Sequence, residues 1–323
     1  MFQINSHISK YLPVYIASSA ILAYFFPFFF SNFYESTSIL LGFVLFLTGL
    51  SMELSELKII KDSTKELLVG LVLKWTLTVF ISIGLAKLFF STSPDLQAGL
   101  ILTGSVPSGT AATMYTFLAG GSTSLIVAMG IIDVFISPVL TPLIMQFSTE
   151  HTVVVSFLDL AKKMFFIVIL PIIIGISIRQ LQKEYITRIR PYTKFASSFT
   201  IVFIVVSVVS GVSTQISMEF SLFCVLLIVV FLQVWVPMIG GYKISLLLGL
   251  PREKAIAILF QVGLCNSALA AILALEFFGG KAAIPAVLNM IFNLSLGAYF
   301  SNQFSQREKE KKYFKFSENI DFR

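Results

Sequence analysis

The chain has 323 residues, of which 56% are hydrophobic and 12% are charged, and its formal net charge is +6 at pH 7. Soluble domains carry about 25% charged residues, so the composition excludes a soluble globular domain and predicts an all-α integral membrane protein. The basic residues lie in short loops and in the C-terminal tail, which is typical of membrane orientation and not of nucleic-acid binding.

Ten apolar runs follow one another along the chain and predict ten transmembrane helices. No linker is long or polar enough to separate two domains. Each half of the chain has three spans, a span interrupted by polar residues, and a fifth span. An odd number of spans inverts the second half relative to the first, so we expect two inverted five-helix repeats, at about 12–149 and 156–303, followed by a charged tail at 306–323. The runs lie at about 12–30, 36–51, 67–90, 97–119, 123–147, 164–178, 195–215, 220–242, 255–277 and 282–301.

The loops between these runs predict the orientation. Ten spans place both ends of the chain on one side, and that side collects most of the lysines and arginines. The other side holds only Lys87, Lys162, Lys163 and Lys281. By the positive-inside rule we expect both termini in the cytoplasm, in a multi-pass protein of the cell's inner (plasma) membrane.

Polar, glycine-containing stretches interrupt the fourth and ninth spans. The first reads TGSVPSGTAAT at 103–113 and the second reads FQVGLCNSA at 260–268. Hydrocarbon offers no partner to such groups, so the stretches predict two discontinuous helices that line a cavity. The simpler interpretation is that the small residues only allow close helix packing and that Pro107 only kinks its helix.

The half-helices after these breaks are expected to begin near Thr110 and Asn266. A helix start presents free N–H groups and about half a positive charge, and two starts that face each other favour a carboxylate or another anion. Side chains near the starts add further donors and N-caps. The candidate substrate-binding residues are therefore Thr110, Thr113, Asn266 and Ser267.

Two charged residues lie inside predicted spans. Lys74, in the third span, costs about 2.5–3.5 kcal/mol at mid-helix on insertion scales and is too deep for easy snorkelling, so an interior role is expected and snorkelling is the alternative. Asp133, in the fifth span, has three open roles: it pairs with Lys74, it carries protons, or it bonds to nearby backbone.

The remaining polar residues and the cysteines predict structural roles and no catalytic site. Asn289 and Asn293 share a helix face, which is typical of contacts between helices. Cys224 and Cys265 lie in apolar runs and predict no disulfide. The sequence shows no set of nucleophile, base and metal ligands and no P-loop, so we expect neither an enzyme nor a bound cofactor.

At the two breaks the chain resembles the bile acid:sodium symporter family, and the resemblance covers nearly the whole chain. It depends on PSGTA at 107–111 and QVGLCNS at 261–267, which the family writes roughly as P-G-G-T-A-S-N and E-V-G-x-Q-N-S. Gly121 and Ser137-Pro138 also match. The resemblance, to the bacterial ten-helix branch, implies a core domain beside a panel domain, with discontinuous helices four and nine crossing in the core. The implied activity is alternating-access transport of a small organic anion, a carboxylate or a bile-acid-like molecule.

The chain departs from the family where the family binds sodium. The resemblance keeps Thr110 and Asn266, which the family turns toward substrate. The resemblance aligns Gln261 with the glutamate whose carboxylate bridges the family's two sodium sites. It aligns Lys74 with a residue of the second sodium site, where a fixed ammonium would replace the second ion. We therefore predict a transporter with weak or no sodium dependence, in which Lys74, Gln261 and Asp133 are the coupling residues. The other altered sodium-ligand positions are Ala112, Thr113, Ile126, Gly130 and Cys265.

Other functions stay open from the sequence. The carrier is either a uniporter or uses protons through Asp133. A conventional sodium:organic anion symporter would bind sodium through backbone carbonyls at a shifted site. A non-transporting anion sensor would signal through the basic tail. The expected partners are a small organic anion and the lipid bilayer, and the sequence identifies neither the exact anion nor the oligomeric state.

Overall fold

The computed structural model describes residues 14–16, 18–30, 36–52, 54–149, 156–213 and 220–320. Within these residues the secondary structure is helical apart from one isolated bridge. Short turns lie at Pro27–Phe29, Leu54–Lys58 and Ile59–Asp62. The helices are α1 (Val14–Phe25), α2 (Thr37–Ser51), α3 (Thr64–Phe89), α4 (Pro94–Ser105), α5 (Thr110–Leu118), α6 (Thr123–Thr149), α7 (Phe157–Leu181), α8 (Lys183–Ser213), α9 (Phe220–Leu247), α10 (Arg252–Gly263), α11 (Ser267–Phe278) and α12 (Gly280–Ile320).

Several of these helices are long and apolar enough to cross a membrane. Among the described residues they are α3, α6, α7, α9 and the first part of α12, and a sixth span results if α2 is joined across a 63° bend to Leu54–Asp62. A multi-pass, all-helical membrane protein is thereby confirmed. The further arrangement as ten spans stays a prediction, because α4, α5, α10 and α11 are each too short to span alone.

One group of helices forms around α2, which packs mainly against α7 and α8. A Cβ atom at Gly49 would lie 2.4 Å from the backbone oxygen of Ile172, so only glycine allows this approach of α2 to α7. Arg179 is buried and its Nη1 donates to the backbone oxygen of Leu50 at 2.8 Å. The guanidinium thus satisfies a carbonyl that the end of α2 leaves without an intrahelical partner.

The second group surrounds the two interruptions. Helices α3 to α6 and α9 to α12 pack together, and α4, α10 and α11 lie at the centre. Every residue from Leu96 to Ser105 in α4 is buried, as is every residue from Ala255 to Gly263 in α10 and from Ser267 to Leu275 in α11. A helix that is buried all round can carry polar groups only if the surrounding helices bond to them.

Ion pairs join the ends of helices that are distant in the sequence. Lys254 at the start of α10 contacts Glu66 at the start of α3, with 2.9 Å between Nζ and Oε1. Lys163 at the start of α7 pairs with Glu276 near the end of α11. Each pair joins residues that the loop charges assign to one side of the membrane, and the cytoplasmic location of the termini stays a prediction.

Two single turns of π-helix interrupt the regular hydrogen bonding of long helices. They lie at Lys74–Thr78 in α3 and at Phe165–Ile169 in α7. Such turns are rare and are found frequently at functional sites. The turn in α3 begins at the buried lysine that the sequence singles out.

Candidate functional site

The two interruptions, residues 106–109 and 264–266, pair with each other. Ser108 and Cys265 form an antiparallel bridge. The Gly109 N–H donates to the Leu264 oxygen at 2.9 Å, and the Asn266 N–H donates to the Pro107 oxygen at 2.8 Å. The interruptions therefore satisfy backbone groups that lipid would leave without partners.

Gly109 makes this pairing sterically feasible. A Cβ atom at this position would lie 2.9 Å from the Cys265 backbone oxygen, closer than normal contacts allow. Helices α5 and α11 both begin next to the bridge, at Thr110 and Ser267. Two electropositive helix starts consequently lie at one place in the protein.

The two helix starts differ in their caps. Asn266 caps α11, because its Oδ1 accepts the N–H of Leu269 at 3.2 Å. Gly109 precedes α5 and offers no side-chain cap, so the first N–H groups of α5 are not met by a capping side chain. Thr110 is exposed and Thr113 is half-buried, which leaves the start of α5 as the more accessible of the two.

A charged cluster, defined here as Lys74, Ser108, Asp133 and Gln261, lies beside the first interruption. Asp133 and Gln261 are completely buried. Oδ2 of Asp133 accepts the Ser108 N–H at 2.6 Å and Nε2 of Gln261 at 3.0 Å. The Ser108 hydroxyl donates to Oε1 of Gln261 at 3.0 Å. These bonds fasten α6 and α10 to the backbone of the first interruption.

Lys74 completes the charged cluster from α3. Its side chain is 0% exposed, so its amine does not reach the membrane surface. Lys74 interacts electrostatically with both Asp133 and Cys265, although its Nζ makes no hydrogen bond within the described part of the chain. The Trp75 indole lies near the same carboxylate, and its nitrogen also has no partner of normal geometry. The amine of Lys74 is therefore close enough to interact with both Asp133 and the second interruption.

The structure adds an acid to this region. Gln261 is an amide at a position where the family resemblance implies a carboxylate. Oδ2 of Asp133 lies 3.0 Å from Nε2 of Gln261. An acidic side chain is therefore one hydrogen bond away from position 261.

A second group, which we call the amide cluster, consists of Gln233, Cys265, Ser267, Asn289 and Asn293. Oδ1 of Asn289 accepts from the Ser267 hydroxyl at 2.8 Å and from the Cys265 thiol at 3.0 Å. Nδ2 of Asn293 donates to the Ser267 hydroxyl at 2.8 Å and to the Cys265 backbone oxygen at 3.0 Å. The asparagine pair therefore holds the second interruption from α12.

Gln233 extends the amide cluster to α3 and α4. Its Oε1 accepts from Nδ2 of Asn289 at 3.5 Å, and its Nε2 donates to the Ser82 hydroxyl at 2.9 Å and to the Leu100 oxygen at 2.7 Å. Sequence reasoning did not assign a role to Gln233 or to Ser108. Gln233 is an amide inside a span, and such a residue is a signal that could have found it.

The candidate residues from the sequence separate into the two clusters and a third set at the helix starts. Lys74, Gln261 and Asp133 lie together, and Ser267 lies in the amide cluster with its hydroxyl already bonded. Asn266, Thr110 and Thr113 remain at least partly accessible. Within the described residues, no group of three or more His, Cys, Asp or Glu side chains is arranged to hold a metal ion. The two cysteines, both described, are free thiols.

Comparison with known proteins gives a consistent result. The chain is 29% identical over 309 residues to a Bacillus subtilis (strain 168) protein named as the uncharacterized sodium-dependent transporter YocS, with 95% of this chain and 94% of that protein covered. It is 25% identical over 302 residues to the probable sodium/metabolite cotransporter BASS1, chloroplastic, of Arabidopsis thaliana, with 91% and 73% covered. The rice protein of the same name is 25% identical over 303 residues, with 92% and 73% covered.

The sequence model of the Sodium Bile acid symporter family matches residues 38–219, which is more than half of the chain. The relatives are transporters, and the described residues form a multi-pass helical protein with buried polar interruptions. The protein is therefore a secondary transporter and not an enzyme. This chain belongs to the sodium bile acid symporter family.

Proposed function

We propose that this protein transports a small organic anion, a carboxylate or a bile-acid-like molecule, by alternating access with weak or no dependence on sodium. One observation carries the proposal. The amine of Lys74 is fully buried, lacks a hydrogen-bond partner within the described chain, and acts on both Asp133 and Cys265. We therefore assign to Lys74 the role of a fixed ammonium close to Asp133 and to the second interruption.

The anion would bind at the starts of α5 and α11. Both helices begin at the backbone bridge, and their N–H groups attract negative charge. Thr110, Thr113 and Asn266 are accessible enough to donate to the anion. Ser267 is buried and bonded to Asn289 and Asn293, so we assign it to holding the second interruption in place.

The weak sodium dependence follows from the charges of the cluster. In the family's pattern a carboxylate at position 261 compensates bound sodium. Here the Lys74 ammonium supplies the cation and the Asp133 carboxylate supplies the anion, within one hydrogen bond of that position. A second cation brought to this buried pair would be repelled by the first at low effective dielectric constant. Sodium therefore gains little by binding there.

The two packed groups of helices support a core domain and a panel domain. In this arrangement α3 to α6 and α9 to α12 form the core, and α2, α7 and α8 belong to the panel. Helices α1 to α6 and α7 to α12 would be the two inverted repeats, each with one interrupted span at α4–α5 or α10–α11. The core would move against the panel and expose the crossing to each side in turn, with both termini cytoplasmic.

Conventional sodium symport is the second candidate, because the relatives are named as sodium-dependent. Its ligands would be backbone carbonyls and oxygens at a shifted site. One observation favours it: Oδ1 of Asn293 is buried and has no hydrogen-bond partner within the described chain. A sodium ion at that position would lie in the amide cluster.

Two measurements separate the candidates. Purified protein is screened against carboxylates and bile acids by thermal shift in sodium and in choline buffers. Stabilising anions are then tested for uptake into proteoliposomes with and without a sodium gradient. We expect equal stabilisation and equal uptake in both cations. Uptake that requires the sodium gradient would support conventional symport and would exclude the proposed sodium independence.

A further inference from the structure

We infer that one proton travels with each monovalent anion, bound at Oδ1 of Asp133 opposite Lys74. This inference rests on the proposed transport of an organic anion. It adds a second substrate, the proton, and assigns it to an atom. The argument uses the two fully buried charges of the cluster and the hydrogen bonds that they do and do not make.

The two oxygens of Asp133 are used differently. Oδ2 already accepts two hydrogen bonds, from the Ser108 N–H at 2.6 Å and from Gln261 Nε2 at 3.0 Å. Oδ1 is buried and accepts none within the described chain. A carboxylate oxygen can also take a proton and become a donor, so Oδ1 is the free position at which a proton can bind.

The charge of the site sets the number of protons. Without anion, the Lys74 ammonium and the Asp133 carboxylate sum to zero. A monovalent anion at the neighbouring helix starts would add one negative charge next to the buried pair and inside the membrane, which is costly. One proton on Asp133 returns the sum to zero. Both the empty and the loaded forms are then neutral and can change conformation.

Few other titratable groups act on this pair. Helices α3, α4, α5, α7 and α10 and the turns at Leu54–Lys58 and Ile59–Asp62 pack against α6, which carries Asp133. From these elements only Lys74 acts on Asp133 through its charge, and Lys74 itself is acted on only by Asp133 and by Cys265 of the second interruption. The charged residues of the two turns do not act on the carboxylate; they are Glu56, Lys58, Lys61 and Asp62. The acidic and basic residues at the start of α7 do not act on the carboxylate; they are Asp159, Lys162 and Lys163.

The proton step is simple in its bonds. On the loading side an O–H bond forms between Oδ1 of Asp133 and a proton from water as the anion binds. On the unloading side the same bond breaks, the proton returns to water, and the carboxylate again compensates the lysine. Lys74 keeps its proton throughout, and no electron is transferred.

The test uses purified full-length protein in proteoliposomes with choline as the only external cation besides protons. The probes are radiolabelled pyruvate and glycocholate, a compact and a large carboxylate, and a trapped dye reports internal pH. Protein-free liposomes correct for passive entry of the acids. We expect internal acidification equal to the uptake of at least one probe, and about tenfold accumulation for a gradient of one pH unit.

Asp133→Asn separates coupling from folding, because the amide imitates the protonated acid. The loaded form of the variant stays neutral, so exchange of internal for external labelled anion is expected to persist. The empty form keeps the Lys74 charge uncompensated, so net uptake is expected to fall at least about tenfold. Asp159→Asn, an exposed acid at the start of α7, is the matched control and should leave both readouts unchanged.

The outcomes are distinguishable. Uptake in choline without acidification would overturn proton coupling and leave the proposed function standing. Equal loss of exchange and net uptake in Asp133→Asn, with unfolding temperature unchanged, would also overturn it. If neither probe enters in choline or in sodium, the proposed function fails and the inference fails with it.

Discussion

Replacing Lys74 with glutamine should make this protein respond to sodium. Lys74 and Asp133 are both completely buried, and the proposed function assigns the Lys74 ammonium to compensating the Asp133 carboxylate. The substitution removes the cation and introduces an amide oxygen near that carboxylate. Asp133 and Gln261 then offer further oxygen ligands with one negative charge, which is the kind of set that a small hard cation binds.

The expected change in the free energy of unfolding follows from the burial of Lys74 and Asp133. Removing one partner of a buried charge pair costs about 3–5 kcal/mol, less whatever the carboxylate recovers by taking up a proton. Sodium at about 100 times its dissociation constant would return about 2.7 kcal/mol. The variant is therefore expected to unfold at a lower temperature than the native protein in choline and to recover by several degrees in sodium.

The assay is thermal unfolding of purified protein in matched sodium and choline buffers. Lys87→Gln is the control, since it makes the same chemical change at an exposed position of the same helix. It should give no sodium response. The double variant Lys74→Gln with Gln261→Glu restores the family's carboxylate and should respond to sodium more strongly, whereas Gln261→Glu alone should not respond.

Two results would refute this reasoning. The first is an equal sodium response in the native protein and in Lys74→Gln, because sodium would then bind elsewhere, for example in the amide cluster. The second is a variant that is as stable as the native protein in choline, because the ammonium would then not compensate Asp133.

Two further predictions concern the supports of the site. Asn266→Ala removes the side-chain cap that accepts the Leu269 N–H, so we expect a loss of about 0.5–2 kcal/mol in the free energy of unfolding, measured by denaturation in detergent, and weaker anion binding in the thermal-shift screen. Gly99→Ala places a Cβ atom 1.9 Å from the Ala282 backbone oxygen, where α4 meets α12, and should lower the free energy of unfolding by about 1–3 kcal/mol or more. Gly84→Ala, where nothing lies within 4 Å, is its control and should not lower stability; equal effects of both glycine variants would contradict the close packing of α4 and α12.

Much of the fold was predictable because the local amino-acid composition indicates where membrane helices lie. Lipid excludes unsatisfied backbone, so long apolar runs indicate helices, and polar stretches inside them indicate interruptions. The stretches predicted to interrupt helices, 103–113 and 260–268, contain the observed interruptions at 106–109 and 264–266, which follow the ends of α4 and α10. The charges inside the spans, Lys74 and Asp133, were visible for the same reason.

The helix bounds were less predictable. The sixth apolar run, at about 164–178, lies within the longer helix α7, Phe157–Leu181, whose first turns are amphipathic. Polar and charged residues at a helix end lie outside hydrocarbon, so hydropathy alone does not show that the helix continues through them. For the same reason α12 extends to Ile320, well beyond its apolar part.

The sequence by itself determined that this is a helical membrane transporter with two interrupted helices and two buried charges. Only the tertiary structure decided which polar groups meet. Asp133 bonds to Ser108, 25 residues away, and to Gln261, 128 residues away. Such partners depend on the rotation and depth of packed helices, and local periodicity specifies neither. The buried groups must find partners because lipid offers none, but their identity is fixed only when the helices have assembled.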